Sequence, residues 1–509
     1  MKVAIRTDAS LEIGTGHVMR CITLANELKQ KGADIFFICR AFPGHLAVLI
    51  ESHSYKVYLL PAPNTLKNNN SRENAKTSYQ NWLGVSWQQD AEETHQVLLQ
   101  QGNVSWLIVD HYAIDEHWEK QQKNVVSKIM VIDDLANRIH DCNILLDQNY
   151  YKDMQNRYTG KVSDNCEKLH GPKYALLRQE FREARQSLRK RSGHIKNIFI
   201  FFGGVDITNQ TELAIKALTM LQLSDVVIEV VVGKTSPNLN DIEILCNKYS
   251  YINLHVQIEN MAQIMAAADL CIGSGGTITW ERCCMGLPTI AWPVADNQRQ
   301  LLIDNAKNGL LYMPDTMKPT VEEISFHIKA VLNNSLLCFH MSTQCLQIID
   351  GRGSVRVANR IIRPKIQLRD ANIDDMNKIF TWRNDLSVRQ YSNNNQLLDI
   401  NEHNAWFKAI LNNPHQKILI GVFQNDEIGV LRYVFNENEV KVSIYLVPGN
   451  SGRGLGAALL SAGETWLSLT YPDTNKVIAE VLPENKASMK LFEAYGYRQD
   501  KVQFKKRLN

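Results

Sequence analysis

What this chain lacks narrows its class before any motif is read. Of its 509 residues only 14 are proline and 27 glycine, too few for a collagen-like or low-complexity chain, and no segment repeats at a fixed period. No apolar run approaches the roughly 20 residues that cross a bilayer. Lys2, Arg6 and Asp8 interrupt the first apolar stretch, so no secretory signal is expected. A formal net charge of +3 is too small at this length to require nucleic acid or an anionic membrane as partner. The expected compartment is the cytoplasm. Metal-type spacing is missing as well: the ten cysteines, Cys21, Cys39, Cys142, Cys166, Cys246, Cys271, Cys283, Cys284, Cys338 and Cys345, form no C-x-x-C pair and read as reduced, buried thiols. None lies beyond residue 345, which points to two units of different origin.

What is present is an ordinary globular composition, 44% hydrophobic and 21% charged, in a chain long enough for two or three domains. Val3-Ala4-Ile5 reads as a buried strand, and Val18, Cys21, Leu24, Ala25 and Leu28 recur at helical spacing after a glycine-bearing loop. Strand, loop, helix opens a Rossmann-like unit. Apolar runs at 35–39, 106–109, 129–132 and 144–146 continue a parallel sheet. A second series starts with Ile198 to Phe202 running into Gly203-Gly204, then 226–232, 266–272 and 289–292. Around Gly351-Arg352-Gly353 and Arg363-Pro364 the pattern changes.

Besides Gly203-Gly204, three glycine clusters follow strands. Gly14 and Gly16 precede His17, an imidazole that could face a crevice and act as a base near neutral pH. Gly-x-Gly is also common in plain tight turns. Ser274-Gly275-Gly276-Thr277 exposes consecutive backbone N–H groups suited to a diphosphate, and Glu281 follows one turn later. Residues 449–456 lie between an alternating strand at 440–446 and a helix, again a phosphate cradle.

The segment "RTDASLEIGTGHVMRCITLA", followed by "IVDHYAID", "VIDDLANR", "ILLDQN" and "FFGGVD", resembles the UDP-2,4-diacetamido-2,4,6-trideoxy-β-L-altropyranose hydrolases of pseudaminic acid biosynthesis, which are related in fold to GT-B glycosyltransferases. The resemblance covers about residues 1–348. It implies that His17 is the general base that activates water, that Tyr112 and Asn297 stand at the active site, and that UDP is expelled from the anomeric carbon with inversion. "GSGGTITWERCCMGLPTIAWPVADNQ" is similar to the UDP-binding region of GT-B families, implying nucleotide contacts from Gly14, Gly16, Gly203, Gly204, Ser274, Gly275, Gly276, Thr277, Asp296 and Gln298, with Glu281 on the ribose. Asp133 and Asp134 are adjacent rather than spaced as Asp-x-Asp, and the resembling family is metal-independent. No metal is expected, and the pair reads as exposed strand-end carboxylates.

"SGRGLGAAL" and "NKASMKLFEAYGY" resemble GNAT acyltransferases over residues 366–509. The resemblance implies acetyl-CoA as co-substrate, held by Leu446, Val447, Arg453, Gly454, Leu455, Gly456 and Ala457 with Asn485 near the pantetheine arm. Phe492 stands where many GNATs carry a proton-donating tyrosine, which leaves Tyr495 or water for that role. "FTWRNDLSVRQYS" and "HNAWF" look like the substrate side of acetyltransferases acting on UDP-4-amino-4,6-dideoxy-β-L-AltNAc, implying Trp382, Arg383 and Asn384 beside the sugar nucleotide.

The expected fold is α/β: a Rossmann-like domain over 1–165, a UDP-binding Rossmann-like domain over 166–348 in a GT-B-like arrangement, a linker at 349–365 and an α+β GNAT domain over 366–509. The expected partners are a UDP-linked amino sugar and acetyl-CoA, without nucleic acid or membrane. Two other readings stay open: a GT-B glycosyltransferase with a different acceptor, and a sugar-nucleotide binding protein whose GNAT domain acetylates protein.

Overall fold

Short runs rich in valine, isoleucine, leucine and phenylalanine form most strands of the first two sheets. The computed structural model describes residues 1–63, 79–316, 319–392, 395–436 and 439–500, and the chain divides into two compact units, Met1–Ala358 and Asn359–Asn509.

The first sheet of the N-terminal unit contains β1 (Lys2–Thr7), β2 (Asp34–Arg40), β3 (Lys56–Leu60), β4 (Val104–Asp110), β5 (Val126–Ile132), β6 (Ile144–Asp147) and β7 (Glu167–His170). Its order is β3-β2-β1-β4-β5-β6-β7, and every pairing is parallel. The second sheet contains β8 (Asn197–Phe201), β9 (Val227–Val232), β10 (Ile252–Val256), β11 (Leu270–Gly273) and β12 (Thr289–Ala291), ordered β10-β9-β8-β11-β12 and also parallel. Both faces of such sheets are covered by helices, so β1 and β4 are buried almost end to end. Strand order reverses between β1 and β4 in one sheet and between β8 and β11 in the other. Chains leave those neighbours in opposite directions, which opens a crevice at the strands' carboxyl ends.

Two expected boundaries differ in the structure. β7 belongs to the first sheet and pairs with β6, so that sheet runs past residue 165. Residues 349–365, expected to be a linker, contain the helix Gly353–Ile361. Its start is held against the N-terminal unit: Ser354 Oγ donates to the Leu177 carbonyl at 3.3 Å, and Arg356 pairs with Asp350. Arg-Gly-Ser-Val reads as a loop because glycine breaks local periodicity, whereas here glycine permits close approach to a neighbouring backbone.

The second unit has one mixed sheet, β13 (Gln367–Asp370), β14 (Gln416–Phe423), β15 (Asp426–Asn436), β16 (Glu439–Leu446) and β17 (Val477–Ala479), in sequential order. The first three junctions are antiparallel, and β16 with β17 is parallel. Helix Leu455–Thr470 packs Leu459, Leu460 and Leu467 into its core.

A Cβ at Gly353 would collide with the carbonyl oxygen of Ala175, an overpacking that costs about 1–3 kcal/mol. Gly353→Ala should therefore lower the urea midpoint of the full chain. An unchanged midpoint would show that this helix is not held there.

Candidate functional site

His17 is the second residue of the helix Gly16–Gln30, and Arg20 follows one turn later, so both point from one face toward the end of β4. Asp110, the last residue of β4, receives both. Arg20 grips it with Nε on Oδ2 and Nη2 on Oδ1, each at 2.6 Å, and His17 Nδ1 lies 2.6 Å from Oδ1. Burial alone would raise this carboxyl's pKa, but Arg20 and His17 override it and hold the group well below the usual carboxylate range. An ionised carboxylate only accepts, so Nδ1 carries the proton and donates. The Nε2 lone pair is then free to take a proton.

His111 lies at the same crevice but is differently committed. Its Nδ1 accepts the Ala113 N–H at 3.1 Å, and burial pushes the imidazole down to about 4. It is neutral with its lone pair spent. Of the two histidines, His17 is the one equipped as a base.

Tyr112 packs edge-on to His17, with ring centroids 4.6 Å apart. Its hydroxyl donates to Asp134 Oδ1 at 2.6 Å, and burial together with Asp134 raises the phenol well above its ordinary pKa. Trp82 stacks on Tyr112 at 5.4 Å and meets the His17 ring edge-on at 6.0 Å. Asp133 and Asp134, expected to be exposed, are not. Asp133 is fully buried against Arg138 at 2.9 Å and Tyr158 at 2.9 Å, and Asp134 gathers donors from Tyr112, Asn149 and Arg20. The later segment 149–158 folds over this strand end, burying Asp133 and leaving Asp134 half-buried.

The second crevice carries the other glycines. Gly203 and Gly276 have φ of +107° and +103°, and space is open where a Cβ would stand at Gly203, Gly204, Gly276, Gly14 and Gly16. Gly275 differs: a Cβ there would press on Leu302 and Gln298 at 3.1 and 3.2 Å, so its role is to let helix Asp296–Lys307 close. Ser274 is buried, and its carbonyl accepts from Arg282 at 2.7 Å. Thr277 precedes the helix Ile278–Cys284 without a side-chain cap. Glu281 meets Arg178 at 3.4 Å, and burial raises its carboxyl against that pairing. Asp296 and Asn297 are exposed in the first turn of their helix, while Gln298 accepts the Val294 N–H at 3.1 Å. Asp296 lies within electrostatic reach of Tyr79, whose ring is 5.1 Å from Tyr112.

In the second unit, β16 pairs with β17 only over Val440–Val442, so Ser443 to Leu446 run on without that partner. Gly449, Gly452 and Gly454 follow, with φ of +86°, +76° and +75°. Gly454 then caps the helix Leu455–Thr470, which has no acidic residue in its first turn. Space is open at Gly449, and Gly456 has only ordinary contacts at 3.8 Å. These features fit a pyrophosphate-bearing co-substrate. Val447 donates its N–H to the Ile428 carbonyl at 3.0 Å, Arg453 bonds Asn450 at 2.6 Å, Leu455 is buried and Ala457 half-buried. Asn485 caps the helix Lys486–Ala494 through Ser488 N–H at 3.0 Å. Phe492 is buried in the core beside Tyr497, and Tyr495 packs at its edge. Trp382 packs on a second core cluster, and Asn384 pins Leu398 at 2.8 and 3.3 Å. Arg383 stands 5.9 Å over the Tyr445 ring and bonds Ser392 at 2.9 Å.

Comparison with known proteins places these two units. Residues 197–342 match the glycosyltransferase family 28 C-terminal domain, and residues 365–498 match the acetyltransferase (GNAT) domain. The chain fuses a GT-B-like region to a GNAT acetyltransferase domain. An uncharacterized protein of Methanocaldococcus jannaschii is 25% identical across 98% of this chain and 97% of its own length. The UDP-2,4-diacetamido-2,4,6-trideoxy-beta-L-altropyranose hydrolase of Campylobacter jejuni is 28% identical, covering 61% of this chain and 97% of itself. Among solved structures, MurG of Acinetobacter baumannii aligns with 71% of this chain and 99% of its own at 15% identity and a TM-score of 0.49.

In this GT-B-like region sequence reading missed Asp110, Arg20, Asp134, Trp82 and Asn149. Asp110 and Arg20 lie inside quoted motifs, and the His-x-x-Arg spacing was a usable signal. Asn149 closes the "ILLDQN" motif, whereas Trp82 carried no signal, because only tertiary packing brings it to the crevice. Among the described residues no group of His, Cys, Asp or Glu is arranged to hold a metal, and no helix is long and apolar enough to cross a membrane. All ten cysteines are buried and unbridged.

Behind the site, His140 lies 2.7 Å from Glu119 and 3.8 Å from Asp133. Burial alone would lower its pKa, but Asp133 and Glu119 raise it from 6.5 to about 9. A folded-state pKa above the unfolded one gives stability that is complete below pH 6.5 and lost as pH rises through about 9. The urea midpoint should thus fall across that window in the native chain and fall less in His140→Gln. An equal fall in both would assign the loss to another group.

Proposed function

We propose that the GT-B-like region hydrolyses a UDP-linked diacetamido sugar of the 2,4,6-trideoxy-β-L-altropyranose class, and that the GNAT domain N-acetylates its 4-amino precursor. The observation that carries the first part is the His17–Asp110 pair, which leaves one imidazole nitrogen free at the switch point of the first sheet. That nitrogen takes a proton from water as the oxygen attacks C1. The C1–O bond breaks on the opposite face, inverting the configuration, and UDP leaves. Tyr112 and Asn297 orient the water and the sugar. The backbone of Gly203, Gly204, Ser274, Gly276 and Thr277 accommodates the diphosphate, Gly14 and Gly16 keep the entrance clear, and Glu281, Asp296 and Gln298 serve the nucleoside. UDP is a good leaving group, so stabilising its phosphates with backbone N–H groups replaces the protonated acid that glycosidases use. The hydrolase among the relatives supports this reading.

Acetyl-CoA, when bound, supplies a thioester carbonyl to the sugar amine. The glycine loop 449–454 and the first turn of the following helix hold its pyrophosphate, while the free edge of Ser443–Leu446, with Val447, lies along its arm. Asn485 flanks the arm. Trp382, Arg383 and Asn384 belong to the acceptor side. Phe492 cannot donate a proton, so the leaving thiolate is protonated by Tyr495 or by water. Localisation in the cytoplasm follows from these substrates.

The family 28 match favours a second reading, transfer of the sugar to another acceptor. Incubating the chain with the UDP-diacetamido sugar alone separates the two, since only hydrolysis releases UDP without an acceptor. His17→Ala should lower that release about 10²–10⁴-fold, and normal release would refute the assigned base. NMR with the UDP-4-amino sugar, with and without acetyl-CoA, should show the N-acetyl signal only with the co-substrate. No such signal would remove the sugar amine as the acceptor.

A further inference from the structure

Asn149 lies where the two lobes of the N-terminal unit meet. Its side-chain oxygen accepts the indole N–H of Trp280 at 2.8 Å, and its side-chain nitrogen donates to Asp134 Oδ2 at 3.1 Å. Trp280 is fully buried in the helix directly after Ser274–Thr277, and Arg282 of that helix holds the Ser274 carbonyl. On the far side, Asp134 fixes the Tyr112 hydroxyl at 2.6 Å and meets Arg20 at 3.4 Å, and Arg20 grips the carboxylate that orients His17. Directed hydrogen bonds therefore run from Trp280, in the helix that follows the glycine loop of the second lobe, to the imidazole of the first.

The chemistry of the junction accounts for the residue found there. An indole N–H only donates and an ionised carboxylate only accepts, so the group between them must accept on one side and donate on the other. A short carboxamide does both. Aspartate would set carboxylate against carboxylate, and an apolar residue would strand a buried N–H.

We propose that Asn149 is a positioning residue for the hydrolytic site: it holds Asp134, and through it the Tyr112 hydroxyl, in register only while Trp280 of the nucleotide-side lobe is docked. Docking of that lobe and alignment of the groups around the water are then one event. This rests on the reading that the N-terminal unit releases UDP, although its geometric half is testable without turnover.

The test uses the full chain with Asn149→Ala and with Trp280→Phe, which keeps the ring and loses only the N–H. Each is made alone and in a Tyr112→Phe background. Tyrosine carbon-13-labelled at Cζ reports the hydroxyl environment, with the Tyr112 resonance assigned by its loss in Tyr112→Phe. Both single variants should move that resonance and lower kcat for UDP release about tenfold with KM changed less than about threefold. In the Tyr112→Phe background the additional loss should vanish. An unmoved resonance in Trp280→Phe, or losses that multiply fully in the double variants, would overturn the proposal. Should the native chain release no UDP while the resonance still moves, the functional reading fails and the positioning link stands.

Discussion

Everything at the first crevice depends on one carboxylate that has been taken out of water. Asp110 is fully buried, and an isolated ion there would be strongly disfavoured. Arg20 supplies the opposing charge in a two-pronged contact, and the remaining acceptor capacity goes to His17 and, more weakly, to the Cys21 thiol. The same arrangement that makes the burial tolerable also decides which imidazole nitrogen holds the proton. The three side chains meet because one helical turn separates His17 from Arg20 and because β4 ends beside the start of that helix.

Asp134 repeats the logic one strand further on. It collects donors from Tyr112, from Asn149 and, at longer range, from Arg20, while Arg157 holds its backbone carbonyl at 2.7 Å. A carboxylate so surrounded is rigid, and the aromatic group it orients, Tyr112 with Trp82 stacked on it, becomes a fixed wall beside the imidazole. Glycines face this crevice and its counterpart in two distinct ways. Gly14, Gly16, Gly203, Gly204 and Gly276 leave space open, whereas Gly275 is consumed by packing against Leu302 and Gln298.

The acetyltransferase unit uses a different device. Pairing with β17 stops partway along β16, which frees backbone groups on that edge next to a glycine loop. Phe492 is a core residue in this setting. Trp382 and Asn384 are occupied with packing and loop pinning, and Arg383 with Ser392 and the Tyr445 ring.

The sequence by itself determined the strands, the helix periodicity, the glycine loops at strand ends and the division into two units, because these depend on local spacing and on which residues can adopt positive φ or bury both faces. It also marked His17, Tyr112 and the loop at 274–277. It misjudged Asp133 and Asp134, took the helix Gly353–Ile361 for a linker, was silent on Trp82, and gave no role to Asn149 at the end of "ILLDQN". Those outcomes were decided by tertiary structure alone. A helix's docking and an asparagine's bond to the second lobe join residues 177 and 131 apart, and a carboxylate's burial likewise needs later segments; no local pattern encodes a contact whose other half is that far along the chain.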